Sequence, residues 1–260
     1  MKAFAPGSVT TVFAPPAGGG DRSRGGSVAI QDGVVVEVEE AGDPVVTVDG
    51  EETSFEPVSL VAEGLDARLA VDVRPEVPIG CGFGASGAAT LATALAANES
   101  LDLGRSREEL VQAAHAAEVE AGTGLGDVFV QERGGIVVGT GDGIRRVESD
   151  EHLEYASFGG IPTSDVLGDS AAMGRIREAG LRAFERLPAD PSLPVLVGGS
   201  WTFARETGLV TERVGREVER VQEAGGEATM AMLGETVVAT GVDGVLSNGT
   251  RVCSSGAHVL

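Results

Sequence analysis

The sequence predicts an α+β fold, on three observations. Residues 1–75 alternate short Val-rich segments with Gly, Pro and Asp, two helical stretches occupy the middle, one rich in Ala, Leu and Thr and one in Ala and Glu, and the remainder mixes both kinds of element. Strands collected ahead of helices, rather than alternating with them, do not build a regular doubly wound sheet. At roughly 150 residues per domain, the length implies one or two domains. With 42% hydrophobic but only 4% aromatic residues, the core is expected to be built from Val, Leu, Ile and Ala, with Phe as the main large side chain.

Taken in order, strands are expected at 8–13, 27–30, 34–39, 45–48 and 69–73, each bounded by turn-forming residues. A glycine-rich loop follows Pro78, and 86–98, a run of Ala, Leu and Thr with no breaker after Gly87, reads as a helix. A second helix is expected over 107–121, capped by Ser106 and stopped by Gly122. Residues 128–138 return to strand-like composition around Gly134-Gly135. Helices follow at 166–187 and 207–224, with short strands at 194–198, 228–233 and 236–239. The weakest join is 139–151, which carries Gly, Asp and the Arg145-Arg146 pair, so the chain is expected to divide into 1–145 and 146–260.

Charge narrows the partners. Lys and Arg together number 19 against 40 Asp and Glu, a net charge of -21, and Lys2 is the only lysine. Nucleic acid is excluded as a general partner, because phosphate binding needs a basic face. The carboxylates are spread along the whole chain, a pattern suited to concentrated salt, where a dense acidic surface stays hydrated and its self-repulsion is screened. Two cysteines, Cys81 and Cys253, provide no disulfide framework and point to a reducing compartment. Pro6, Gly7, Pro15, Pro16 and Gly18-Gly19-Gly20 interrupt any signal-peptide core, and no run of about 18 apolar residues appears. The expectation is a cytoplasmic protein without a membrane partner, with monomer and homodimer both open.

The most informative stretch is Pro78-Ile79-Gly80-Cys81-Gly82-Phe83-Gly84-Ala85-Ser86-Gly87-Ala88-Ala89, which leads from a strand into the Ala-rich helix. Its glycines let backbone amides approach an anion, and the helix N-terminus adds orphan N–H groups and the positive end of its dipole. Phosphate is the expected ligand. A Walker A loop needs a lysine that is absent here, and a hydrolase nucleophile elbow needs Gly where Ala88 stands. Gly82 to Gly87 fits Gly-x-Gly-x-x-Gly literally, but a dinucleotide fold places that motif on its first strand.

The loop resembles the ATP-binding motif of the GHMP kinases, the family of galactokinase, homoserine kinase, mevalonate kinase and phosphomevalonate kinase. Their pattern is Pro-x-Gly-x-Gly-Leu-Gly-Ser-Ser-Ala-Ala, matched at Pro78, Gly80, Gly82, Gly84, Ser86, Ala88 and Ala89. Phe83 stands for Leu, Ala85 for the first Ser, and Gly87 is additional. Pro6-Gly7-Ser8 resembles the family's first motif, and residues 225–234 lie where its third, glycine-rich motif belongs. The resemblance implies a nucleotide-loop domain followed by a ferredoxin-like domain, with ATP bound by the loop from Pro78 through Cys81, Ala85 and Gly87 to Ala88. In Ala114-His115-Ala116-Ala117-Glu118-Val119-Glu120-Ala121-Gly122-Thr123-Gly124-Leu125-Gly126-Asp127, it implies that Glu118 and Ser86 hold Mg2+ and that Asp127 faces the acceptor hydroxyl. By composition alone, Glu118 is a solvated carboxylate at a helix end and Asp127 a turn residue.

Within the family, the runs around the loop, around His115 and around Asp127 resemble members that act on a small hydroxy acid, and the salt-adapted composition agrees with an archaeal source. An arginine should then meet the acceptor's carboxylate, with Arg24, Arg145 and Arg146 as candidates and Ser23 and Thr163 as hydroxyl partners. His115 is open between an acceptor-pocket hydrogen-bonding group, a satisfied buried histidine and a zinc ligand with Glu118, the last opposed by the scarcity of His and Cys. Other acceptors (homoserine, shikimate, mevalonate), a catalytically silent sensor of the same fold and, at a distance, a dinucleotide oxidoreductase remain as alternatives.

Overall fold

A computed structural model of the chain describes residues 1–15, 24–139, 143–161, 166 and 168–260. The fold is α+β, as expected. Strands β1 (Lys2–Ala14) and β2 (Arg24–Glu40) form the antiparallel spine of the first sheet. The segments expected as separate strands at 27–30 and 34–39 are one strand. Gln31, Asp32 and Gly33, which look like a turn, are absorbed as a bulge where the register passes from Pro6 opposite Gly33 to Gly7 opposite Ile30. Gly33 is needed there, since a Cβ would lie 2.3 Å from the Ala5 carbonyl oxygen.

The second half of β2 pairs with β5 (Leu69–Pro75) and its first half with β6 (Ile136–Gly139). Beyond β5 lie β3 (Val45–Val48) and β4 (Glu51–Glu52), beyond β6 lies β7 (Ile144–Val147), and β12 (His258–Val259) joins the outer edge of β1. Helices α1 (Glu56–Gly64), α2 (Ala85–Ser100) and α3 (Arg107–Glu120) pack together, with α2 against β1 and β2. Helix α2 is buried over nearly its whole length, which its alanines permit because their small side chains admit close neighbours on every side. Ser106 caps α3 in a reciprocal capping box with Glu109, as its sequence predicts. Helix α1 was not expected. Pro57 in its first turn looks like a strand boundary, but it suits a helix start, and Val58, Val61 and Ala62 bury one face at helical spacing.

Two strand expectations are corrected. Residues 128–138 are split between helix α4 (Asp127–Arg133) and β6, separated by Gly134 and Gly135 at φ 67° and 75°. Residues 194–198 lie inside helix α6 (Leu193–Thr207), where Pro194 occupies the first turn and Leu193, Leu196, Val197, Ser200 and Phe203 are buried at helical spacing. The helix expected at 207–224 is accordingly shorter, α7 (Glu212–Glu223), because Gly208 ends α6 at φ 77° and Thr211 caps anew. Helix α5 (Ser170–Phe184) falls within the expected 166–187. The second sheet, in the order β11 (Asn248–Arg251), β8 (His152–Gly160), β10 (Gly234–Thr240) and β9 (Glu227–Met230), is antiparallel throughout. Both cysteines are free thiols.

Two ties join the layers. The Cys253 N–H donates to the Ala29 carbonyl at 2.9 Å, and the Gly135 N–H donates to the Cys253 carbonyl at 2.7 Å. On the other side α5 lies so close to β1 that a Cβ on Gly180 would stand 2.1 Å from the Phe13 carbonyl oxygen. Gly180→Ala should therefore push α5 off β1 and lower the unfolding free energy by about 1–3 kcal/mol, read from urea denaturation midpoints.

Candidate active site

Between β5 and α2, residues 78–84 form a loop in which Gly80, Gly82 and Gly84 take φ of 77°, 87° and 60°. The carbonyls of this loop are drawn into the protein. The Ser8 N–H donates to Phe83 O at 2.8 Å, Gln131 Nε2 to Gly84 O at 2.7 Å, and the Thr236 hydroxyl to Cys81 O at 2.8 Å. Phe83, 1% exposed, meets the Tyr155 ring edge-on at 4.9 Å between centroids. Helix α2 has no side-chain cap, so the N–H groups of Ala85, Ser86 and Gly87, which precede the first intrahelical bond, are available to an anion. The family's other two glycine-containing stretches both reach this loop, the first through Ser8 and the third through Ala231 and Gly234. A Cβ on Gly234 would lie 2.0 Å from the Cys81 carbonyl oxygen.

Glu118, in the last turn of α3, is 2% exposed and receives the hydroxyls of Ser86 at 2.8 Å, Thr90 at 2.9 Å and Thr123 at 3.0 Å. Burial pushes its carboxyl above the ordinary 4.5; the three hydroxyls pull it back, and the charge of Asp127 pushes it further up. Asp127 opens α4 and takes the Ser8 hydroxyl on Oδ1 at 2.8 Å, with Thr10 at 3.5 Å. Its carboxyl is also raised by burial, against the bonds from Ser8 and Thr10. The two carboxylates reach one space. A Cβ on Gly124 would fill it, at 2.9 Å from Glu118 Oε2 and 3.7 Å from Asp127 Oδ2. A buried carboxylate held only by hydroxyls, beside a second carboxylate and a cradle free of side chain, fits an oxygen-liganded divalent cation.

Ser86, Thr123, Gly124 and Asp127 line one cavity of about 2170 Å³, with Glu118 buried behind its wall. Gly80, Gly82, Gly84, Ala85, Ser86, His115 and Asp127 are on its wall, while Phe83 and Ala88 are buried behind it and Pro78, Cys81 and Gly87 are off it. The His115 ring tilts over Phe129 at 4.7 Å. Arg24 is exposed at the first residue of β2, and Arg145 pairs with Asp190 at 3.4 Å; neither lines the cavity. Arg146 donates to the carbonyls of Arg133 and Gly134 at 2.9 and 3.2 Å. Ser23 and Thr163 lie outside the described residues. Among those described, His152, Glu154 and Asp243 form the group with metal-compatible donor atoms, away from the cavity and without His115.

Sequence reasoning placed Ser8 in the stretch that resembles the family's first motif but gave it no role in the site, and it missed Gln131. Ser8 is fully buried in β1. Gln131 bridges Gly84 and Ser8, and it lies one helical turn after Asp127, a relation hidden when the segment is taken for a strand.

Known proteins resemble this chain over most of its length. The GHMP kinases N terminal domain family matches residues 55–135. Pantoate kinase of Methanocaldococcus jannaschii is 30% identical over 90% of both chains, and pantoate kinase of Methanospirillum hungatei is 28% identical over 93% of this chain and 87% of its own. A solved structure described as a phosphotransferase related to the CoA biosynthesis pathway superposes with a TM-score of 0.84 at 25% identity, covering 99% of this chain and 97% of its own.

The raised carboxyls carry a testable sign. A carboxyl whose folded value exceeds its unfolded one favours folding at low pH and loses that contribution as pH rises through the folded value. The stability difference between Glu118→Gln and the unaltered protein should therefore move in the variant's favour from about pH 4 to about pH 8 in the presence of chelator. Urea midpoints across that range check it, and a pH-independent difference would contradict the shift of Glu118.

Proposed function

This chain belongs to the GHMP kinases, and on that premise we propose that it is a pantoate kinase, transferring the γ-phosphoryl group of ATP to the 4-hydroxyl of pantoate. The observation that carries the chemistry is the meeting of Glu118 and Asp127 beside Gly124, at the open N-terminus of α2. The acceptor is supported by the pantoate kinases to which the chain is similar over nine-tenths of its length.

The loop amides and the first N–H groups of α2 bind the phosphates and place the γ-phosphorus. Magnesium, for which Ser86 and Glu118 are the fitting ligands, supplies neutralisation of the phosphate charge. Asp127 has one oxygen engaged by Ser8, which leaves Oδ2 to accept the proton of the acceptor hydroxyl. As the hydroxyl oxygen bonds to the γ-phosphorus, the bond to the β,γ-bridging oxygen breaks and ADP leaves, without a phosphoenzyme. His115, on the same wall, is placed to hydrogen-bond the acceptor. The first 145 residues hold the loop and both carboxylates, and residues 146–260 line the rest of the cavity, chiefly from α5 and the turn after β9. The uniformly acidic composition extends the reading to a cytoplasmic enzyme of a salt-loving archaeon.

ADP release with ATP and magnesium, in low and in molar KCl, should occur with pantoate and not with homoserine, shikimate or mevalonate. Turnover with another acceptor alone would move the substrate, and nucleotide binding without turnover of any would identify a sensor. Asp127→Asn should lower kcat about 10²–10⁴-fold with an unchanged circular dichroism spectrum.

A further inference from the structure

We propose that Arg177, on α5, receives the carboxylate of the acceptor; this rests on the cavity being the acceptor's site, and it commits to a carboxylate rather than to pantoate itself. In a chain with 40 acidic and 19 basic residues, most arginines of the described residues are paired with a carboxylate. Arg177 is not. Among the described residues it has no ion pair, side-chain hydrogen bond or ring contact, although it is half-buried.

Arg133 and Arg177 are the arginines that line the cavity. Arg133 is already engaged, its Nη1 donating to the Phe129 carbonyl at 3.0 Å and lying 3.3 Å from Glu132. Arg177 is held where it is by the close approach of α5 to β1. Gly180, three residues on and so on the same side of the helix, touches Phe13. Three residues back along β1, about 10 Å, Thr10 places its hydroxyl 3.5 Å from Asp127 Oδ1.

Electrostatics favour such a cation. An anionic acceptor enters a cavity that is lined by Asp127 and shared with the donor's phosphates, and a positive group offsets that repulsion. A guanidinium offers two parallel N–H donors to the two oxygens of a carboxylate, which a lysine could not match.

The test is steady-state kinetics of the full chain with Arg177→Gln and Arg177→Lys, using whichever of pantoate, homoserine, shikimate or mevalonate the unaltered enzyme turns over; all four carry a carboxylate. Arg177→Gln should raise the KM for the acceptor about 10- to 100-fold, leave the KM for ATP in place, and abolish the preference for the acid over its neutral amide, with partial recovery in Arg177→Lys. An unchanged acceptor KM would overturn the proposal, as would a raised KM for ATP, which would assign Arg177 to the donor phosphates. Failure of pantoate as substrate would refute the acceptor assigned above without touching this test. If none of the four is turned over, calorimetric titration of each acid into both proteins takes its place, and binding that Arg177→Gln does not weaken, or no binding at all, would overturn the proposal.

Discussion

The site depends on the close meeting of three backbones around one small hydroxyl. Ser8 gives its N–H to the phosphate loop and its O–H to Asp127, while Gly84 approaches so closely that a Cβ would stand 2.2 Å from the Ser8 Oγ. Gln131 closes the ring by donating to both Ser8 and Gly84. Strand β1, the loop and helix α4 therefore take their relative positions from one another. A larger side chain at position 8 or any side chain at position 84 would separate Asp127 from the glycine loop.

Around this ring the protein accepts electrostatic cost. Glu118 is buried and Asp127 half-buried at the cavity wall; they lie near each other and take hydroxyl donors rather than cations. Hydroxyls can stabilise a carboxylate without neutralising it, so the charge remains available to whatever positive group arrives. The same principle in reverse describes Arg177, a positive group without a partner among the described residues of a strongly acidic protein.

The parts of this arrangement that could be read from the sequence are those written in local chemistry. The glycines at 80, 82 and 84 announce a backbone with positive φ whatever surrounds them, and Ser106 with Glu109 announces a helix start. Elements whose state depends on burial were harder. The apolar residues of 128–130 and 194–197 suit a strand as well as a helix over so short a window, and Pro57 and Pro194 punctuate either. Once helices there are in place, Gln131 comes under Asp127 and α6 packs beside α5. Arg177 had no local signal at all, since its position on the cavity wall follows from the contact of Gly180 with Phe13, between residues far apart in the chain.

Phe83 and its neighbours constrain how the enzyme can move. The tip of the glycine loop is attached to the second sheet at two points, the Phe83 ring on Tyr155 and the Cys81 carbonyl on Thr236, with Gly82 beside Ala231 just past β9, while its base is attached to Ser8 and Gln131 of the first layer. A hinge opening between the two layers would tear the loop from one side or the other. The loop therefore ties the two layers together and opposes any such clamshell motion.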